Sequence, residues 1–290
     1  MLFPDHIRVR DIENMELQLE GAKLYYEEYG AGKPILILHG LGLDHYSIMM
    51  SMEPIFKEKK QWKRIYLDLP GMGKSIGEDW IQSSDDMLQV ILHFIEQVIP
   101  NESFVLVGES YGGYLCRGIL YQKPERVDGM LLICSPIEAE RFKRELPPHQ
   151  VLVYDEQLIH SLEDKEKELF TSLAVVQDQK HWERFKDILQ STPAPDSDFL
   201  QKIKKQYAFS FPVDQLSEPF QKPVLMLAGR QDSVAGYRDH WKIIENYPRG
   251  TFAVLDRAGH NLIMEQSHLF ECLVKEWLDR VNEEQEKMAG

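Results

Sequence analysis

The chain has 290 residues, of which 43% are hydrophobic and 28% charged, enough for one large domain with a full core or for a domain carrying a sizeable insertion. Its formal charge of −14 at pH 7 argues against nucleic acid as a partner, because binding phosphates needs a basic face that releases counterions. The start carries charges at Asp5, Arg8 and Arg10 with no apolar h-region, and no later run approaches the roughly 20 apolar residues of a membrane span. A cytoplasmic protein with no membrane partner is therefore expected. Cys116, Cys134 and Cys272 are odd in number, far apart and lack Cys-x-x-Cys spacing, so neither a disulfide framework nor a metal site is expected.

Met15 to Glu20 alternates apolar and polar residues, Gly21 turns, and Lys23 to Tyr29 is again rich in strand formers, which predicts an antiparallel hairpin at a sheet edge. After turn material at Gly30 to Pro34, Ile35-Leu36-Ile37-Leu38 reads as a strand buried on both faces, ending at His39-Gly40-Leu41-Gly42. A helix is expected over 47–60. Arg64 to Asp68 reads as a strand running into the loop Leu69-Pro70-Gly71-Met72-Gly73. Ser83-x-x-Asp86 is a capping box for a helix that buries Met87, Leu88, Ile91, Phe94, Ile95 and Val98, and that Pro100 ends.

Ser103 to Val107 is a further β-rich run. It breaks into Gly108-Glu109-Ser110-Tyr111-Gly112 and resumes as helix from Tyr114 to Gln122. A strand passing straight into a helix must bend sharply, and Gly108 and Gly112 let its two arms pass closely. Ser110 on such a bend is a candidate nucleophile. Met130 to Cys134 is another buried strand, and the repeated alternation of strand and helix implies a parallel sheet with helices on both faces. From about Ile137 to Glu218 the chain turns helix-like and charged without a strand signal, and reads as an inserted helical cap. Strands return at Val224 to Ala228 and Thr251 to Leu255. A last amphipathic helix buries Phe270, Leu273, Val274, Trp277, Leu278 and Val281, and the polar tail after Asn282 is expected to fray.

A serine hydroxyl needs a base to take its proton, and the base needs an acid that fixes its tautomer and stabilises its charge. Asp232 follows the strand ending at Ala228, and His260 follows the strand ending at Leu255. Residues just beyond the C-termini of parallel strands converge on one sheet edge. The order Ser110, Asp232, His260 thus offers a nucleophile, an orienting acid and a base. Asp256 is a rival acid, as is anything after the Met130 strand, where Ser135-Pro136 precedes the first carboxylate at Glu138. His39 is expected to hold its loop, and His45 either lines the site or faces solvent.

With these pieces in this order, together with Asp68-x-Pro70-Gly71-x-Gly73-x-Ser75, the chain resembles the α/β-hydrolase fold family over essentially its whole length. The resemblance implies a mostly parallel eight-stranded sheet, a core domain of residues 1–136 and 219–290, and a helical cap of residues 137–218. It implies that the backbone N–H groups of Leu41 and Tyr111 form the oxyanion hole. It further implies a serine hydrolase that cleaves a small or medium carboxylic ester through an acyl-enzyme, with no cofactor and a small molecule as its only implied partner. An aminopeptidase, a carbon–carbon bond hydrolase and a non-catalytic small-molecule receptor are the alternatives. The sequence carries no mark of oligomeric state.

Three patterns have plainer readings. Gly71-Met72-Gly73-Lys74-Ser75 ends like a phosphate-binding P-loop, but Asp68 stands where that pattern needs glycine. The cap aromatics Phe142, Phe170, Trp182, Phe185, Phe199 and Tyr207 are expected mainly as core of the cap. His160, Glu163 and Asp164 read as a solvated helix face.

Overall fold

The computed structural model describes residues 12–289; the charged start at Asp5, Arg8 and Arg10 lies outside them. In chain order the main elements begin with β1 (Ile12–Leu19), β2 (Ala22–Tyr29), β3 (Lys33–Leu38), α1 (His45–Phe56), β4 (Trp62–Leu67) and α2 (Ser84–Val98). They continue with β5 (Phe104–Glu109), α3 (Tyr111–Gln122) and β6 (Val127–Ile133). Between β6 and β9 (Val224–Gly229) lie β7 (Val153–Tyr154), α4 (Glu156–Ser161), α5 (Asp164–Leu173), β8 (Val176–Gln177), α6 (Gln179–Ser191) and α7 (Ser197–Lys205). The chain closes with β10 (Gly250–Leu255), α8 (Leu262–Glu265) and α9 (Ser267–Ala289).

Eight strands form one sheet in the order β1-β2-β4-β3-β5-β6-β9-β10. The hairpin pairs antiparallel and joins β4 antiparallel, whereas β4, β3, β5, β6, β9 and β10 run parallel. This is the mostly parallel sheet expected from the alternation of strands and helices. Along β5, Phe104 and Leu106 enter the core shared with α2 and α3, while Val105 and Val107 enter the one shared with α1 and α9. A strand with apolar layers on both faces disfavours polar residues, hence the apolar run from Phe104 to Val107.

Several boundaries differ from expectation. The first helix spans His45–Phe56 rather than 47–60, because Lys57-Glu58-Lys59-Lys60 offers nothing to bury. The capping box forms as read: Ser83 Oγ accepts the Asp86 amide at 3.2 Å, and Asp86 Oδ2 accepts the Ser83 amide at 3.0 Å. The last helix does not end near Asn282 but continues to Ala289. The insertion is not purely helical, since β7 and β8 make a two-stranded parallel ribbon. Two-residue strands are too short to show a period.

Within the insertion, Phe170, Trp182 and Phe185 form one aromatic cluster, with ring centroids 5.3 to 6.2 Å apart. Phe199 is buried against the other core. These four are core, as expected. Phe142 is the exception, 83% exposed, and Tyr207 lines a cavity. Among the described residues no helix is long and apolar enough to cross a membrane.

Candidate active site

The bend after β5 is built by close contact. A Cβ at Gly108 would lie 2.4 Å from the Gly112 carbonyl oxygen, and one at Gly112 would lie 2.3 Å from the Leu38 carbonyl oxygen. Neither position admits a side chain, so the start of α3 presses against both its own strand and β3. The residue between them takes up the strain: Ser110 has φ 51° and ψ −116°, in the left-handed half of backbone space. Its amide is fixed by donating to the Ile133 carbonyl at 2.8 Å.

Ser110, His260 and Asp232 lie in one hydrogen-bonded chain. His260 Nε2 is 3.0 Å from Ser110 Oγ, and its Nδ1 is 3.0 and 3.2 Å from the two oxygens of Asp232. With Nδ1–H donating to the carboxylate, Nε2 keeps its lone pair toward the hydroxyl. Asp232 is fully buried, and its Oδ1 also accepts the amides of Val234 and Ala235 at 2.8 and 3.0 Å. Burial works to raise its pKa, but His260 and the two amides outweigh burial and hold it below the usual carboxylate range. Burial works to lower the pKa of His260, and Asp232 overcomes that and raises it.

The rival acids are occupied elsewhere. Asp256 is exposed and accepts from Gln231 Nε2 at 2.8 Å. Glu138 pairs with Lys242 at 3.1 Å. The same Gln231 accepts the Ala258 amide at 3.2 Å, so one side chain pins the loop after β9 to the loop after β10.

Leu41 and Tyr111 share with Ser110 and His260 the lining of one cavity of about 1000 Å³. Tyr111 opens α3, so its N–H belongs to the first turn, which a helix leaves without an internal partner. The loop after β3 passes directly over the serine: a Cβ at Gly40 would lie 3.5 Å from Ser110 Cβ. His39 steadies that loop. It is fully buried, its Nε2 accepts the Leu69 amide at 3.0 Å, and its Nδ1 donates to the Gly40 carbonyl at 2.8 Å. Burial pushes its pKa down to about 4, which keeps the ring neutral.

His45 neither lines this cavity nor faces solvent, contrary to both expectations. It opens α1, buried, with Nδ1 2.7 Å from Asp68 Oδ1 and Nε2 3.2 Å from Glu27 Oε1. The glycine loop that looks like a P-loop wraps the same carboxylate. The Lys74 amide donates to Asp68 Oδ2 at 2.8 Å, and the Ser75 hydroxyl donates to the Asp68 carbonyl at 2.6 Å. Its anion is therefore the chain's own Asp68. His160, Glu163 and Asp164 are exposed, as expected for a solvated helix face.

Sequence reading missed Glu265, which holds the histidine loop. Its Oε2 accepts the Gly259 amide at 2.7 Å, and its Oε1 accepts the amides of Val175 and Val176 at 2.6 and 3.2 Å. A glutamate on a short helix has no pattern that marks it. It missed Glu109 also, a buried carboxyl beside Ser110 whose Oε2 has no hydrogen-bond partner.

Residues 33–267 match the sequence model of the α/β hydrolase fold. The chain belongs to that family. It resembles an α/β superfamily hydrolase from Oenococcus oeni PSU-1 with a TM-score of 0.84 and 31% identity, over 92% of this chain and 99% of that one. A curated relative is the pimeloyl-[acyl-carrier protein] methyl ester esterase of Legionella pneumophila (strain Corby), 24% identical over 88% of this chain and 99% of that protein. The enzyme of the same name from Vibrio campbellii is 25% identical over 88% of this chain and 98% of its own length.

Proposed function

We propose that this chain is a carboxylic-ester hydrolase that works by a Ser-His-Asp mechanism. The single observation that supports it most is the hydrogen-bonded chain from Asp232 through His260 to Ser110, opening on a cavity large enough for a small or medium ester. The methyl ester esterases among its relatives supply the bond type.

In this reading Ser110 Oγ attacks the ester carbonyl while His260 Nε2 takes its proton. Asp232 holds the ring and stabilises the imidazolium. The amides of Leu41 and Tyr111 receive the negative charge on the carbonyl oxygen. His260 then protonates the departing alcohol, leaving an acyl-serine. Water, deprotonated by His260, attacks that acyl group, and Ser110 is regenerated as the acid leaves. No step calls on a cofactor or metal. A reducing, cytoplasmic setting is part of the same reading, supported by three free thiols at Cys116, Cys134 and Cys272.

An aminopeptidase needs carboxylates to hold the substrate ammonium. The cavity here sets four cations, Arg141, Arg144, Lys204 and Lys205, against two carboxylates, Asp85 and Glu140, and this excess of positive charge disfavours that alternative.

The test is a panel of short- and long-chain p-nitrophenyl and methyl esters with wild-type protein and Ser110→Ala, together with labelling by a fluorophosphonate. Ester turnover that vanishes in the variant, with Ser110 labelled, is the expected result. Full activity in Ser110→Ala, or saturable binding without turnover of any ester, would refute the proposal.

A further inference from the structure

The molecule carries a net charge of −14, yet the wall of the cavity at Ser110 is cationic. Arg141, Arg144, Lys204 and Lys205 face it, against Asp85 and Glu140. Both carboxylates are already engaged, Asp85 by the Ser210 amide at 3.1 and 3.2 Å and Glu140 by Lys143. Among the described residues Glu140 is held in an ion pair by Lys143, and none of the four cations is so held.

Arg144 is the most constrained of them. It is half-buried, its guanidinium faces the Tyr207 ring at 5.6 Å, and it donates to three backbone carbonyls. These are Glu138 O at 2.8 Å, Ala139 O at 2.9 Å and Val234 O at 3.0 Å. Carbonyl dipoles orient a guanidinium but do not neutralise it. No carboxylate among the described residues forms an ion pair with it, although a desolvated cation gains most from one. Val234 links it to the reactive groups: its carbonyl accepts from Arg144, and its amide donates to Asp232. The guanidinium is thereby held in fixed register with the Asp232–His260 pair.

We propose that the cavity takes esters bearing a carboxylate away from the scissile bond, and that Arg144 receives this carboxylate. A monoanion suits the site, because three of the guanidinium's five N–H groups are already committed to backbone carbonyls. Lys204 and Lys205, exposed in the last turn of α7, add attraction at the rim that salt screens. The proposal rests on the ester reading only for the bond cleaved; the anion-binding half stands without it. Arg144 also opposes positive charge on His260. A docked carboxylate removes that opposition, so the half-ester's acidic rate limb lies at higher pH than that of a neutral ester.

The experiment uses full-length Ser110→Ala, in which turnover does not intervene, and compares monomethyl adipate with dimethyl adipate by calorimetry at low salt. The half-ester is expected to bind at least about tenfold tighter, the scale of one charge-assisted pair, and to lose that advantage as salt is added. Arg144→Gln on the same background brings the two within about twofold. Because Arg144 also ties its loop, Arg144→Lys is the second variant, and its preference falls between the other two. Equal binding, no binding of the half-ester, or a preference undiminished in both variants overturns the proposal. In wild-type protein, the acidic limbs for the two esters are expected to separate, and to coincide in Arg144→Gln. Preferential half-ester binding without hydrolysis of either compound would refute the ester reading and leave this inference standing. Hydrolysis of both with equal binding would do the reverse.

Discussion

Glu265 accepts the amide of Gly259 at 2.7 Å, one residue before His260, and with its other oxygen accepts the Val175 and Val176 amides of the insertion. One buried carboxylate therefore ties the insertion to the loop that carries the histidine. Burial raises its pKa against the pull of the three amides.

Glu265→Ala leaves three buried N–H groups without that acceptor. Each lost charge-assisted bond costs about 1.5–3 kcal/mol, so thermal unfolding should report a loss of several kcal/mol. The kcat for the best ester should fall more than its KM changes, because the histidine loop loses its anchor while the cavity wall near Arg144 does not. An unchanged melting temperature would contradict this.

In the proposed mechanism His260 must be neutral to accept the Ser110 proton, so kcat/KM should fall on the acid side. Since Asp232 raises the His260 pKa, the midpoint should lie above the usual histidine value. Asp232→Asn removes the charge that raises it and fails to stabilise the imidazolium. The acid limb should move to lower pH, and kcat should drop on the order of 10³–10⁴-fold. A pH–rate profile of both proteins decides it.

Burial opposes charge on His45, but its bonds to Asp68 and Glu27 prevail and push its pKa up to about 10 from 6.5. A raised folded pKa gives stability that is complete below the unfolded value and lost as pH rises toward the folded one. Wild-type melting temperature should therefore decline between about pH 6.5 and pH 10. His45→Gln removes the cation between two buried carboxylates, which costs about 3–5 kcal/mol at neutral pH. The alkaline decline should flatten in that variant.

Glu109 works in the opposite sense. Burial pushes its pKa up to about 7 from 4.5, against the attraction of His260 and Arg184. An acid with a raised folded pKa destabilises the fold progressively as pH rises from the unfolded value, with the full penalty above about pH 7. Glu109→Gln should match wild type near pH 4 and exceed it near pH 8 by on the order of 3 kcal/mol. Parallel melting curves at the two pH values test the crossover.

Much of this molecule was legible from spacing alone. Buried strands announce themselves as unbroken apolar runs, the capping box lies within four residues, and the turn at Ser110 needs glycines that cannot be disguised. Chain order then put acids and a base after later strands, and parallel-sheet geometry pointed them to the same edge as Ser110, with Asp256 left as a rival to Asp232 until the contacts were seen. Long-range pairing carries no such local mark. That Asp68 is the anion inside a P-loop-like turn, that His45 is sealed between two carboxylates, and that Glu265 fastens the insertion to the histidine loop all depend on contacts between segments up to 90 residues apart. Two-residue strands β7 and β8 escape any periodicity. The cavity was likewise undetermined until the insertion docked, because only the packing of its helices sets whether Phe170 or Tyr207 turns inward. Local propensity and pattern decided the sheet and the placing of Ser110. Tertiary packing decided which charges are buried, what they pair with, and that the cavity at Ser110 presents an arginine to whatever enters it.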